Sequence, residues 1–161
     1  MAGGHKAEFP PLLAAGLHKM SFAGLKELCI TGFPLSNRRE SIMRSLEILL
    51  LGLSGAAIKA EAWINGSFLT QRIDPDDVDL VVVVQQQDWP TDPAGKEVLA
   101  RVARQDFKNP IKCDSYLSIE YPSGHARYAF GQKQRDYWLK QFGESRGGEA
   151  KGLAVLDVPI K

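Results

Sequence analysis

Trp63-Ile64-Asn65-Gly66-Ser67 and, after nine intervening residues, Asp77-Val78-Asp79-Leu80-Val81-Val82-Val83-Val84 decide how this 161-residue chain is read. Val78–Val84 is too continuously apolar and β-branched for a half-exposed strand, so it belongs inside a sheet. Ala57–Ile64 reads as a strand with Ala60, Ala62 and Ile64 on one face, broken by Asn65-Gly66-Ser67. A polar stretch from Thr70 to Asp76 follows, with Asp74-Pro75 as its turn signal. Asp77 and Asp79 lie two positions apart on a strand, so both point to one face with Cα atoms about 6–7 Å apart. Two carboxylates that close repel unless a cation lies between them, and Mg²⁺ takes one or two carboxylates together with phosphate oxygens. Gly66 has no Cβ, so its backbone can approach a phosphate chain, and the Ser67 N–H and hydroxyl can bind the oxygens. A phosphate cradle beside a metal-binding acid pair is the equipment of metal-assisted phosphoryl or nucleotidyl transfer.

Outward from this centre, Ser36 or Asn37 opens a helix, with Asn37 and Glu40 spaced as a loose capping box. Ile42, Leu46, Leu49, Leu50 and Leu53 form its apolar stripe, Arg38, Arg39, Arg44 and Glu47 fall mostly off it, and Gly52 and Gly55 mark its end. Asp92-Pro93 suits an N-cap and first-turn proline for a helix to about Gln105. Ile111–Glu120 alternates as a strand, with Lys112, Asp114 and Tyr116 on its polar face. If that strand lies beside Val78–Val84, Asp114 is a third acid facing Asp77 and Asp79, able to ligate a second metal and accept a proton from an attacking hydroxyl. Gln132–Phe142 reads as a helix with Tyr137 and Trp138 inward, then a Gly-rich loop and a last strand, Leu153–Pro159. Residues 1–35 read as an irregular N-terminal arm with one short helix near Ser21–Cys29, carrying enough apolar side chains to pack on the domain formed by 36–161. The fold class is α+β: a small mixed sheet covered by helices.

The composition, 44% hydrophobic and 24% charged with a formal charge of +1, is that of a globular domain with no global field for nucleic acid or membrane. Cys29 and Cys113 make no zinc-type spacing and suit a reducing compartment, so a cytoplasmic location is expected. Leu12–Leu17 follows Pro10-Pro11, is too short for a bilayer span and lacks the basic start of an export signal. A calcium loop counted from Asp74 fails, because Val78 and Asp79 fall where an EF-hand needs an oxygen ligand and a glycine.

The Gly66-Ser67 … Asp77-Val78-Asp79 pattern resembles the signature of the DNA polymerase β-like nucleotidyltransferase superfamily. More loosely, the Arg-rich helix, Tyr121-Pro122-Ser123-Gly124-His125 and Lys151-Gly152 make the chain similar to a group of small bacterial and phage proteins within it. The resemblance implies a nucleotidyltransferase-like sheet, Gly66 and Ser67 on the nucleotide phosphates, and Asp77, Asp79 and Asp114 as catalytic carboxylates holding Mg²⁺ or Mn²⁺. Minimal members often carry an Arg and a Gly shortly after Gly-Ser; here Thr70 and Gln71 stand there and Arg72 follows as the nucleotide-binding cation. The implied reaction moves a nucleoside monophosphate from an NTP to an acceptor hydroxyl, on a partner protein such as a toxin or on a tRNA end. The alternative is an inert module binding a nucleotide or partner: an antitoxin, phage accessory factor or sensor. The oligomeric state stays open.

Overall fold

The computed structural model describes residues 8–160. Five strands form one mixed sheet: β1 (Gly16–Lys19), β2 (Ala60–Asn65), β3 (Val78–Gln85), β4 (Cys113–Glu120) and β5 (Gly152–Val158), in the order β1-β5-β2-β3-β4. With helices α1 (Phe22–Lys26), α2 (Arg39–Gly55), α3 (Pro93–Ala103) and α4 (Tyr128–Gly143), the fold is α+β. β2 runs antiparallel to both β3 and β5, whereas β3 and β4 are parallel, joined through α3 as a parallel pair requires.

Each strand's alternation divides the molecule into two apolar layers. Ala62, Ile64, Leu80, Val82, Val84, Ala154 and Leu156 face the main core, where α2 contributes Ile42, Met43, Leu46, Leu49, Leu50 and Leu53 and α3 contributes Leu99 and Val102. The opposite face, Trp63, Val81, Val83, Leu153 and Val155, packs under Trp138, Leu139 and Phe142 of α4. From Leu80 to Val84, β3 carries apolar residues at every position because both of its faces are covered there. Asp92 accepts a hydrogen bond from Gly95 N–H at 3.0 Å with Pro93 in the first turn, which starts α3 where the sequence places it.

Three sequence expectations are corrected and one open choice is decided. The stretch read as irregular contains β1, which pairs in parallel with β5; four residues are too few to display a period. At Gly152 a Cβ would strike the Ala14 carbonyl oxygen and come within 2.7 Å of Leu13 Cβ, so β5 begins on a glycine that lets the N-terminal segment lie against it. Of the two residues expected to open α2, Ser36 holds its start: the Ser36 hydroxyl accepts from the N–H groups of Arg38 and Arg39, at 3.2 and 3.1 Å. Arg39 is not on a solvated face; it is 1% exposed. α4 begins at Tyr128, four residues before the expected start, and Tyr137 points outward at 57% exposure while Trp138 packs inward. An amphipathic helix shows that one face is buried, but a row of aromatics on both faces hides which one.

Candidate functional site

Asp79 lies near the start of β3, directly opposite Asp114 on β4 and Asn65 on β2. Register partners share a face, so Asp79 and Asp114 both project to the α4 side, two residues before Val81 and Tyr116. Asp77 precedes the strand by one residue. The three carboxylates bring ligand oxygens within 4.8 Å of one another, the convergence expected of Asp77, Asp79 and Asp114.

Gly66 closes the far side of this cluster. Its φ is +85°, and a Cβ there would strike Asp79 Oδ2 and stand 3.0 Å from Asp79 Cγ. Only glycine permits both the turn and the close seating of the carboxylate. Ser67 begins a tight helical turn, Ser67–Leu69, stapled by Thr70, whose N–H and hydroxyl both donate to the Ser67 carbonyl, at 3.1 and 2.7 Å. Arg72 borders the same cleft and reaches Asp76 at 3.6 Å.

The electrostatics follow from burial. Asp79 is pushed up to about 7, first by burial and then by the charges of Asp77 and Asp114. Asp114 Oδ2 has Lys108 Nζ at 3.7 Å and the Tyr116 hydroxyl at 3.4 Å, but buried Oδ1 has no hydrogen-bond partner among the described residues. A buried carboxylate oxygen left without a donor, inside a cluster of three acids, fits a hard divalent cation. Lys151, just before β5, is drawn downward by burial while Asp79 holds it up.

The cluster opens into a cleft of about 510 Å³. Gly66, Ser67, Asp77 and Asp79 line it together with Arg146 and Lys151. Both cysteines are buried and pushed up to about 12 by burial, so neither supplies a thiolate at neutral pH.

Two further contributors lie outside the Gly-Ser and acid motif. Lys151 reaches the acids only through the sheet order. Arg39 carries a stronger missed signal: it stands three and four residues before Ile42 and Met43, in line with the buried stripe. Its guanidinium lies 3.6 Å from the Phe33 ring centre and donates to the carbonyls of Cys29, Phe68, Thr70 and Arg72. One side chain thus fixes the loop from Phe68 to Arg72 that follows Ser67.

Among the described residues no helix is long and apolar enough to cross a membrane. Searches of curated proteins and of solved structures returned no match. Residues 7–157 match a family model described as a family of unknown function, DUF6932, and since that match spans most of the chain, the protein belongs to this family.

Proposed function

We propose that the protein is a Mg²⁺- or Mn²⁺-dependent nucleotidyltransferase of the polymerase β-like kind, acting in the cytoplasm. The observation that carries the reading is the convergence of three carboxylates within 4.8 Å beside a glycine turn in a cation-bordered cleft. A divalent ion there would neutralise phosphate charge and lower the acceptor's pKa.

The chain's own groups have separable tasks. Asp77 and Asp79 would hold the divalent cation, and Asp114 would join them as a ligand while accepting the proton of the acceptor hydroxyl. The Ser67 N–H and hydroxyl, with Arg72, bind the triphosphate oxygens, and the rigid Arg39-bonded loop keeps them in place. The acceptor oxygen forms a bond to the α-phosphorus as the bond from that phosphorus to the bridging oxygen breaks. Pyrophosphate leaves with the bonding electron pair. The acceptor is a hydroxyl of a partner protein, a toxin being the resemblance's suggestion, or of an RNA end.

A second reading, nucleotide or partner binding without turnover, draws on Lys108 and Tyr116, which already engage one oxygen of Asp114. Incubation with labelled NTPs, Mn²⁺ or Mg²⁺ and candidate acceptors separates the two. Transfer lost in Asp77→Ala and Asp79→Ala supports the enzyme. Nucleotide-dependent thermal stabilisation without product supports the binding module. Transfer that survives both substitutions overturns the assigned site.

A further inference from the structure

The loop between α4 and β5 forms a small hairpin. Glu144 and Ala150 pair across it, and Lys151 N–H donates to the Gly143 carbonyl at 2.8 Å. Ser145 N–H donates to the Glu149 carbonyl at 2.7 Å, and the Ser145 hydroxyl accepts from Glu149 N–H at 3.1 Å. These bonds consume the polar groups at the hairpin's base. The tip amide of Gly147 is turned instead toward the N-terminal segment, where it donates to Glu8 Oε1 at 2.8 Å.

Glu8 and Asp79 both act electrostatically on Lys151. Glu8, Arg146 and Lys151 border the same cleft as Ser67 and Asp79. The segment carrying Glu8 is anchored to both walls. On one side Gln71 N–H donates to the Pro10 carbonyl at 2.9 Å and Leu12 N–H to the Leu69 carbonyl at 2.8 Å; on the other, Gly152 N–H donates to the Leu13 carbonyl at 3.1 Å. A carboxylate is therefore delivered, by a tethered segment, to the Gly147 amide in a cleft that Arg146 and Lys151 also line, with Lys151 within its electrostatic reach. Amide plus lysine plus arginine is the donor set that recognises a phosphate oxygen.

We propose that Gly147 N–H, Lys151 and Arg146 form an anion seat for the pyrophosphate end of a nucleoside triphosphate, and that Glu8 occupies this seat as an internal stand-in until the phosphates displace it. The inference rests on the nucleotidyl-transfer reading for the ligand's identity. The seat itself stands on the hairpin and Glu8. Displacement exchanges one carboxylate for a more highly charged group on the same donors. Release of the Glu8 side chain leaves the backbone bonds from Pro10 to Leu13 in place.

The test uses the full chain and inorganic pyrophosphate in EDTA, so that the carboxylates take no part through a metal. Calorimetric affinity is measured for the wild type, Glu8→Gln and Lys151→Met, and the Gly147 amide is followed by ¹⁵N NMR. Glu8→Gln removes the competing charge and tightens pyrophosphate binding about tenfold, the weight of one charge-assisted hydrogen bond, while Lys151→Met weakens it by a similar factor. The wild-type Gly147 resonance shifts as the ligand is added, a readout independent of either variant's folding. Unchanged or weaker binding in Glu8→Gln, or a Gly147 signal that does not move, overturns the seat. Labelled-NTP transfer is assayed alongside. Transfer without the Glu8 effect leaves the enzyme and removes the seat; the Glu8 effect without transfer leaves an anion seat and removes the enzyme.

Discussion

Removing a charge from the candidate centre should stabilise the metal-free protein. Asp79 is held at about 7 against an ordinary value of 3.8. Its folded-state pKa is above the unfolded one, so the folded chain binds the extra proton between these values. The associated stability is fully present below about pH 4 and is lost as the pH rises through 7. Three units at about 1.4 kcal/mol each set an upper bound near 4 kcal/mol, and about 2–4 kcal/mol is the working range. Asp79→Asn has no such charge to bury. Urea unfolding in EDTA at pH 5, 6, 7 and 8 should show the wild type losing stability relative to Asp79→Asn, with the variant ahead by about 2–4 kcal/mol at pH 8. Mn²⁺ at pH 8 should then rescue the wild type and leave the variant little changed, because binding to the folded state alone is stabilising. An Asp79→Asn protein that is less stable than wild type at pH 8 without metal would refute the reasoning: the carboxylate would then be satisfied internally, not poised for a cation.

Further predictions address the frame around the acids. Gly66→Ala forces a Cβ against the Asp79 carboxylate at a positive φ; a loss of about 1–2 kcal/mol in stability is expected from the backbone alone, and Mn²⁺ titration by electron paramagnetic resonance should show weakened binding. Arg39→Leu strips four backbone carbonyls of their donor and should cost about 3–5 kcal/mol in chemical denaturation; a loss below 1 kcal/mol would mean water replaces the guanidinium. Cys29 and Cys113 should resist iodoacetamide in the native protein at pH 8 and react at once in 6 M guanidinium, because burial holds both thiols near 12; mass spectrometry counts the adducts.

Much of the centre was legible because its signals are short-range. A two-residue spacing on a strand places Asp77 and Asp79 on one face whatever the rest of the chain does, and a glycine between two strands marks a backbone that something must approach. Asp114 was legible only conditionally, since its role depends on β4 lying next to β3. Arg39 was misassigned by residue type: its spacing placed it on the buried stripe, but a charge is normally given to solvent unless four partners wait inside, and three of those four, Phe68, Thr70 and Arg72, lie 29 to 33 residues away. The exposed Tyr137 was misassigned in the opposite sense, from counting aromatics as core.

By itself, then, the sequence determined the alternating strands, the helix that starts at Asp92-Pro93, the fold class and a pair of acids sharing a face, all consequences of backbone periodicity and local sterics. Tertiary structure alone decided the strand order, and with it the neighbours of Asp79: Asp114 on one side, Gly66 and Lys151 toward the other. Strand pairing is a contact between distant segments, chosen by the burial of two whole sheet faces, so no local pattern carries it.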